Sequence, residues 1–149
     1  MQKNKLHNNY FYKEIVFFLI LYLSLLVSFY VSENSTGGAI KDYFNQKNIS
    51  ILFANNFVDT FLNYDAYSTR HSPILLIIIS LLEKYNIQDE YIRLLHLHFS
   101  LILPLIFYKI LKIQFNDKKS YIVSILTGLI FLSPTFRSLS IWPDSRILG

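Results

Sequence analysis

The stretch IVFFLILYLSLLVSFYV, Ile15 to Val31, contains no charged residue and follows three lysines, Lys3, Lys5 and Lys13. As an α-helix it would be about 25 Å long, close to the roughly 30 Å hydrocarbon thickness of a bilayer. Aromatic residues flank both ends, as in helices whose ends lie among lipid headgroups. The residues after Val31 lack a small-x-small cleavage pattern. We therefore predict an uncleaved transmembrane helix over residues 15–31, with residues 1–14 in the cytoplasm.

The composition indicates a membrane protein throughout. Of the 149 residues, 52% are apolar, 17% are aromatic and only 16% are charged, too few charges to cover an ordinary soluble surface. The net charge of +4 comes from basic residues at the ends of apolar runs, where they act as topology signals. The expected partner is therefore the lipid bilayer, and no nucleic acid is expected. The absence of cysteine excludes disulfides and thiolate metal sites.

Three further apolar blocks define the rest of the layout. Residues 91–112 and 121–134 are predicted to be the second and third spans, the second kinked by Pro104. Residues 73–84 are apolar but too short to cross, and Ser72-Pro73 is a typical helix start. Between the first span and this helix, Ile40, Phe44 and residues 49–53 favour another short helix along the membrane surface.

The orientation follows from the lysines, because cytoplasmic loops are enriched in Lys and Arg. If residues 73–84 do not cross, the basic loop 113–120 is cytoplasmic, while residues 32–90 and 135–149 are exterior loops. If they do cross, Lys109, Lys112, Lys118 and Lys119 would all be exported. The first arrangement is favoured. The predicted fold class is an all-α membrane protein with about three transmembrane helices plus surface helices in the first exterior loop.

In this topology the two exterior loops bring charged and aromatic residues to one membrane face. Together they could bind a phosphate-bearing lipid, hold a divalent cation or accept a proton from a hydroxyl. For any single one of these acids, solvation of an exterior loop is the favoured explanation. The residues are Asp42, Asp59, Asp65, Arg70 and His71 from the first loop, and Arg137, Trp142, Asp144 and Arg146 from the second.

His96 and His98 lie within the second predicted span. Histidine is a frequent metal ligand, but residues two apart on a helix are separated by about 200° around its axis. The two rings therefore cannot share one ion without distortion. Packing or an interhelical hydrogen bond is the expected role.

Four segments resemble the amino-terminal part of the polytopic glycosyltransferases of the GT-C superfamily, which includes protein mannosyltransferases, aminoarabinose transferases and the catalytic subunit of oligosaccharyltransferase. GGAIKDYFN (37–45) resembles their acidic motif, and STRHSPILLIIISLL (68–82) resembles the start of their second surface helix. DEYIRLLHLHFSLILPLIFYKIL (89–111) resembles their second span, where it supplies Arg93. FLSPTFRSLSIWPDSRILG (131–149) resembles the end of their third span and the loop behind it.

The resemblance implies transfer of a sugar from a polyprenyl-phosphate-linked donor to a glycan, lipid or protein acceptor on the exterior face of a bacterial inner membrane. Asp42 takes the position of the catalytic general base. Arg70, His71 and Arg137 would bind substrate, an arginine neutralising the lipid phosphate. Asp144 would orient the acceptor or help to hold a divalent cation.

Two departures from the family pattern limit these expectations. Asp42 lies between Lys41 and Tyr43 rather than beside a second acid, so a metal cofactor is left open. The family has many more spans, so the chain is expected to be an amino-terminal fragment that is inactive alone. The alternative function is a small non-catalytic multi-span protein that packs with partner helices.

Overall fold

The computed structural model describes residues 2–67, 69, 72–115 and 120–147. Most of the described residues are helical, and they contain no strand. They form α1 (Gln2–Tyr30), α2 (Ala39–Asn55), α3 (Phe57–Leu62), α4 (Ile74–Lys84), α5 (Asp89–Ser100), α6 (Ile102–Phe115), α7 (Ser120–Leu132) and α8 (Pro134–Ile141). Single 3-10 turns occur at Tyr64–Tyr67 and Ser145–Ile147. The predicted all-α class is confirmed.

Two helical stretches are long and apolar enough to cross a membrane, Tyr12–Tyr30 in α1 and Asp89–Phe115 across α5 and α6. A third crossing would need α7 and α8 together, and these two helices are bent by 63° relative to each other. Thirteen residues of α7 would cover only about 20 Å. The described residues thus supply two spans, or three if the bent pair is one.

The second long stretch is interrupted where the sequence predicts a kink. Helix α5 ends at Ser100 and α6 begins at Ile102. Pro104 has no N–H and cannot donate to the carbonyl of Ser100, four residues earlier, so the helical hydrogen-bond pattern breaks there. The break lies at Leu101, one turn before the proline.

Helix α2 packs most extensively against α4. The predicted helix is present, and Phe53 of the predicted apolar set is buried, together with Tyr43. Phe44 and Ile51, from the same predicted set, are exposed. The prediction that this helix lies along the membrane surface stays a prediction.

Helix α4 begins at Ile74 as predicted, but its N-cap is Pro73 rather than Ser72. The Ser72 hydroxyl accepts a hydrogen bond from the N–H of Ile74 at 3.4 Å. Leu75 and Ile79 then pack against Ile92 of α5. This contact fixes the α2–α4 pair against the amino-terminal half of the second long stretch.

Helix α8 was not predicted, because residues 135–149 were assigned to a loop. Ser133 ends α7 and caps α8 by accepting from the N–H of Phe136 at 3.4 Å, with Pro134 in the first turn. The apolar side of α8 joins the main core, which contains residues from five helices. The buried members are Leu21, Leu25, Phe29, Ala39, Tyr43, Leu97, Phe131, Phe136, Leu139, Ile141 and Trp142.

Helices α1 and α7 approach closely at Gly128. A methyl group built at this position would lie 2.7 Å from Phe17 Cζ and 3.4 Å from Leu21 Cδ1. Small residues commonly permit such contacts between helices in membranes. Gly128 therefore sets the distance between α1 and α7.

Candidate functional site

Two of the predicted site residues, Asp42 and Asp144, lie on either side of one arginine. Nη2 of Arg146 is 2.6 Å from Oδ2 of Asp42 and 2.6 Å from Oδ2 of Asp144. Asp42 is in the first turn of α2, whereas Asp144 follows α8. The fold thus joins two segments that the sequence analysis expected to share one face of the membrane.

The two carboxylates are held very differently. Asp144 is fully buried, and its Oδ1 accepts from the backbone N–H of Arg146 at 2.8 Å and from Nε at 2.9 Å. Asp42 has a side chain that is 42% exposed and contacts Arg146 through one nitrogen. The hydrogen bonds and charge of Asp144, with a smaller contribution from Asp42, raise the pKa of Arg146. Asp144 is therefore the anchor and Asp42 the solvent-facing partner.

The turn before α2 positions Asp42. Gly37 has φ of +74°, a left-handed conformation that glycine adopts without steric cost. The N–H of Asp42 then donates to Gly38 O at 3.0 Å, closing the first turn. A carboxylate here is also favoured by the positive end of the helix dipole.

Arg137 lies in a different polar cluster, between α8 and α1. Its Nε and Nη2 each lie 3.0 Å from Oε2 of Glu33. Guanidinium has five N–H donors, and the contacts occupy all five. The acceptors are the Glu33 carboxylate, the Ser24 hydroxyl and carbonyl, the Ser28 hydroxyl and the Phe131 carbonyl.

Glu33 is adapted to this pairing. Burial raises the pKa of Glu33, but hydrogen bonds from Ser28, Ser35 and Arg137 outweigh it, so the net pKa is lower than the ordinary value. The backbone carbonyl of Glu33 also accepts from Trp142 Nε1 at 3.0 Å. Glu33 therefore fixes both α8 and the segment that leads to Asp144.

Arg93 contributes a contact that the sequence analysis did not assign. Its guanidinium carbon lies 3.6 Å from the Trp142 ring centre and 5.0 Å from that of Phe29, while Nε donates to Ile141 O at 3.3 Å. The paired aromatic rings at the ends of α1 and α8 could have suggested a cation–π partner, but only the fold brings them to Arg93.

A second ion cluster connects α2, α4 and α5. Lys47 lies 3.3 Å from Oε1 of Glu83 and also pairs with Asp89. Burial lowers the pKa of Lys47, but the hydrogen bond and charge of Asp89 outweigh it and the pKa is raised. The cluster holds the α2–α4 pair against α5. Lys47 lies on α2, the same helix as Asp42.

The two histidines point to different helices. His96 donates through Nε2 to Leu139 O at 3.0 Å on α8. His98 donates through Nδ1 to Leu94 O at 2.7 Å, so its Nε2 is the acceptor for the hydroxyl of Tyr22, 2.9 Å away on α1. Each ring makes an interhelical hydrogen bond, and they do not face a common ion.

The remaining predicted acids lie apart from this site in the chain. Asp59 is in the first turn of α3 and accepts from Asn63 Nδ2 at 3.0 Å, and Asp65 is exposed in a 3-10 turn. Arg70 and His71 lie outside the described residues, as do Lys118 and Lys119.

The residues present do not fit a divalent cation well. Within the described part of the chain, no group of three or more His, Asp or Glu side chains could hold a metal. The only acids at Arg146 are Asp42 and Asp144 among its described contacts, and the guanidinium already provides positive charge between them. A cation would have to displace Arg146 and find further oxygen ligands.

Comparison of the chain with protein-family models, curated proteins and solved structures finds no match.

Proposed function

We propose that this chain is the amino-terminal part of an integral membrane glycosyltransferase, which moves a sugar from a polyprenyl-phosphate-linked donor to an acceptor on the exterior face of a membrane. The observation that supports it most is the Asp42–Arg146–Asp144 cluster. Its acidic members come from the two segments that resemble the acidic motifs of GT-C enzymes. The apolar helices α1 and α5–α6 would place this cluster in a membrane protein.

In this proposal Asp42 is the general base. Its half-exposed carboxylate can reach an acceptor hydroxyl, which a buried acid cannot. The acceptor oxygen attacks the anomeric carbon of the sugar while its proton passes to Asp42. The bond from that carbon to the phosphate oxygen breaks, and polyprenyl phosphate leaves with the electron pair.

Arg146 is the residue best placed to stabilise the departing phosphate. Arginine pairs strongly with phosphate through parallel N–H donors, and the side chain of Arg146 is 46% exposed. The resemblance assigns Arg137 to substrate binding, but its donors are occupied by Glu33, by α1 and by the carbonyl of Phe131. We therefore assign Arg137 a positioning role, holding α8 so that Asp144 reaches Arg146.

The test is sugar transfer in membranes that contain the protein in its longest natural form, measured with a labelled polyprenyl-phosphate sugar. Asp42→Asn should cut transfer by about 10²-fold or more, the usual scale for loss of a general base. Asp59→Asn is the matched control, because that acid also lies in the first turn of a helix, and it should cost far less. Near-normal transfer by Asp42→Asn would contradict the assignment.

The alternative, a non-catalytic protein that packs with partner helices, is favoured by one feature of the same cluster. An arginine bridging two acids can serve simply as a structural tie between α2 and the segment after α8. In that case Asp42→Asn would lower abundance or thermal stability, and transfer would be absent from the parent protein as well. Measuring abundance beside transfer separates the two functions.

A further inference from the structure

The two contacts of Arg146 differ in strength and in access to solvent. Towards Asp144 it donates from Nε, Nη2 and its own backbone N–H to a fully buried carboxylate. Towards Asp42 it donates from Nη2 alone, and both side chains are more than two-fifths exposed. An exposed ion pair contributes little to stability. Leaving the buried Asp144 carboxylate without Arg146 is far more unfavourable.

The contact between Arg146 and Asp42 is therefore the easier of the two to break. Arg146 can leave Asp42 without leaving Asp144, so it keeps its position while one end of the guanidinium becomes free. Within the described residues no hydrogen bond involves Nη1 of Arg146. Nη1 and Nη2 together form the planar pair of donors that matches two phosphate oxygens.

We propose that Arg146 is a phosphate-operated latch on Asp42. A phosphate group binds Nη1 and Nη2 and displaces the Asp42 carboxylate, which then has no cation beside it and can accept a proton. Without phosphate, the ion pair keeps Asp42 occupied. The inference rests on the proposed function for the meaning of the freed carboxylate, but phosphate binding can be measured without sugar transfer.

The latch makes an unusual prediction, because removing an active-site acid should strengthen ligand binding. Asp42→Asn removes the competitor for Arg146, so phosphate should bind about two- to fivefold more tightly, the fold-change that corresponds to a broken exposed ion pair. Asp144→Asn removes the anchor and should weaken binding. Arg146→Ala should abolish it, and Arg146→Lys, which keeps the charge but loses the paired donors, should weaken it.

Binding is measured with the purified protein in two arms. One arm uses inorganic phosphate, and the other uses phosphatidylcholine vesicles with and without polyprenyl phosphate. Tighter binding by Asp42→Asn in either arm supports the latch, and the arm in which it occurs identifies a free or a lipid-borne phosphate. Circular dichroism and gel filtration confirm that each variant is folded.

A double-mutant cycle excludes a general effect of charge. Removing any negative charge near a phosphate strengthens binding slightly, so Asp42→Asn is also made in the Arg146→Lys background. The latch requires a smaller gain there than in the parent protein. Equal gains in both backgrounds, or no gain in the parent, overturn the latch. If the parent protein transfers sugar but shows either of these overturning results, only the latch fails. If phosphate binding changes as the latch requires but the parent protein transfers no sugar, the glycosyltransferase proposal fails instead.

Discussion

Trp142 covers the guanidinium of Arg93, 3.6 Å from the centre of its ring, while its indole N–H donates to the carbonyl of Glu33. One side chain thus ties α5 to the loop after α1, immediately before Pro143 and Asp144. Replacing it with alanine should cost about 3–5 kcal/mol, the scale for a large buried aromatic residue. Thermal unfolding in detergent measures the loss.

The matched variant is Trp142→Phe, which keeps a ring over Arg93 but removes the N–H. It should be much less destabilising than Trp142→Ala, because the phenylalanine ring keeps most of the buried apolar area. If both variants unfold at the same temperature, packing of this ring does not hold the segment.

The Glu33–Arg137 pair predicts a loss of stability in acid. The pKa of Glu33 is lowered in the folded protein, so the folded state favours the charged form. Its stabilising contribution is complete above the ordinary pKa of 4.5 and is lost as the pH falls through the lower folded value. Glu33→Gln should therefore be less stable than the parent at pH 7, and the difference should shrink as the pH falls below 4.5.

Chemical denaturation at several pH values measures that difference. Asp65→Asn is the control, because this exposed acid has no described ion pair, and it should show no such convergence. A constant gap between Glu33→Gln and the parent from pH 7 to pH 3 would contradict the role of the Glu33 charge.

A side chain at Gly128 should require a shift of the Phe17 ring or of α1 and α7. An alanine methyl group would meet the Phe17 ring at 2.7 Å, and overpacking of this kind costs about 1–3 kcal/mol. The neighbouring Leu129 is exposed, so Leu129→Ala should cost much less. Thermal unfolding of the two variants in the same detergent compares them, and a smaller loss for Gly128→Ala would show that the helices separate easily.

The predicted orientation can be tested with single cysteines, since the chain has none of its own. Asn55 and Gln114 are both exposed and lie at the ends of α2 and α6. Asn55→Cys should react with a membrane-impermeant maleimide in intact cells, whereas Gln114→Cys should react only after permeabilisation. The reverse pattern would place the Asp42 cluster in the cytoplasm.

Local patterns were sufficient for most helices. The uncharged run of α1 and the Ser72-Pro73 start of α4 act within a few residues, and each is found where its pattern predicts. Helix α8 could not be predicted because Ser133-Pro134 ends α7 and also begins α8. The dipeptide alone indicates only the end of a helix.

The site required knowledge that no local pattern contains. Asp42 and Asp144 could be singled out as acids in loops that are predicted to be exterior, but Arg146 was one of several arginines in those loops. Its importance depends on a contact across 104 positions. The partners of Arg137 could not be predicted for a related reason, because Ser24 and Ser28 lie on a helix whose sequence indicates only a membrane span.

The separation of Asp42 and Arg146 in the chain also has a consequence during synthesis. A ribosome adds roughly 5–20 residues per second, so Arg146 emerges about 5–20 s after Asp42. Until then the α2–α4 pair can form, but Asp42 lacks its partner Arg146. Ser24 and Ser28 of α1 likewise lack Arg137 until α8 is made. A chain that ends after α7 therefore lacks both Arg137 and Arg146, the arginines that pair with Glu33 and Asp42.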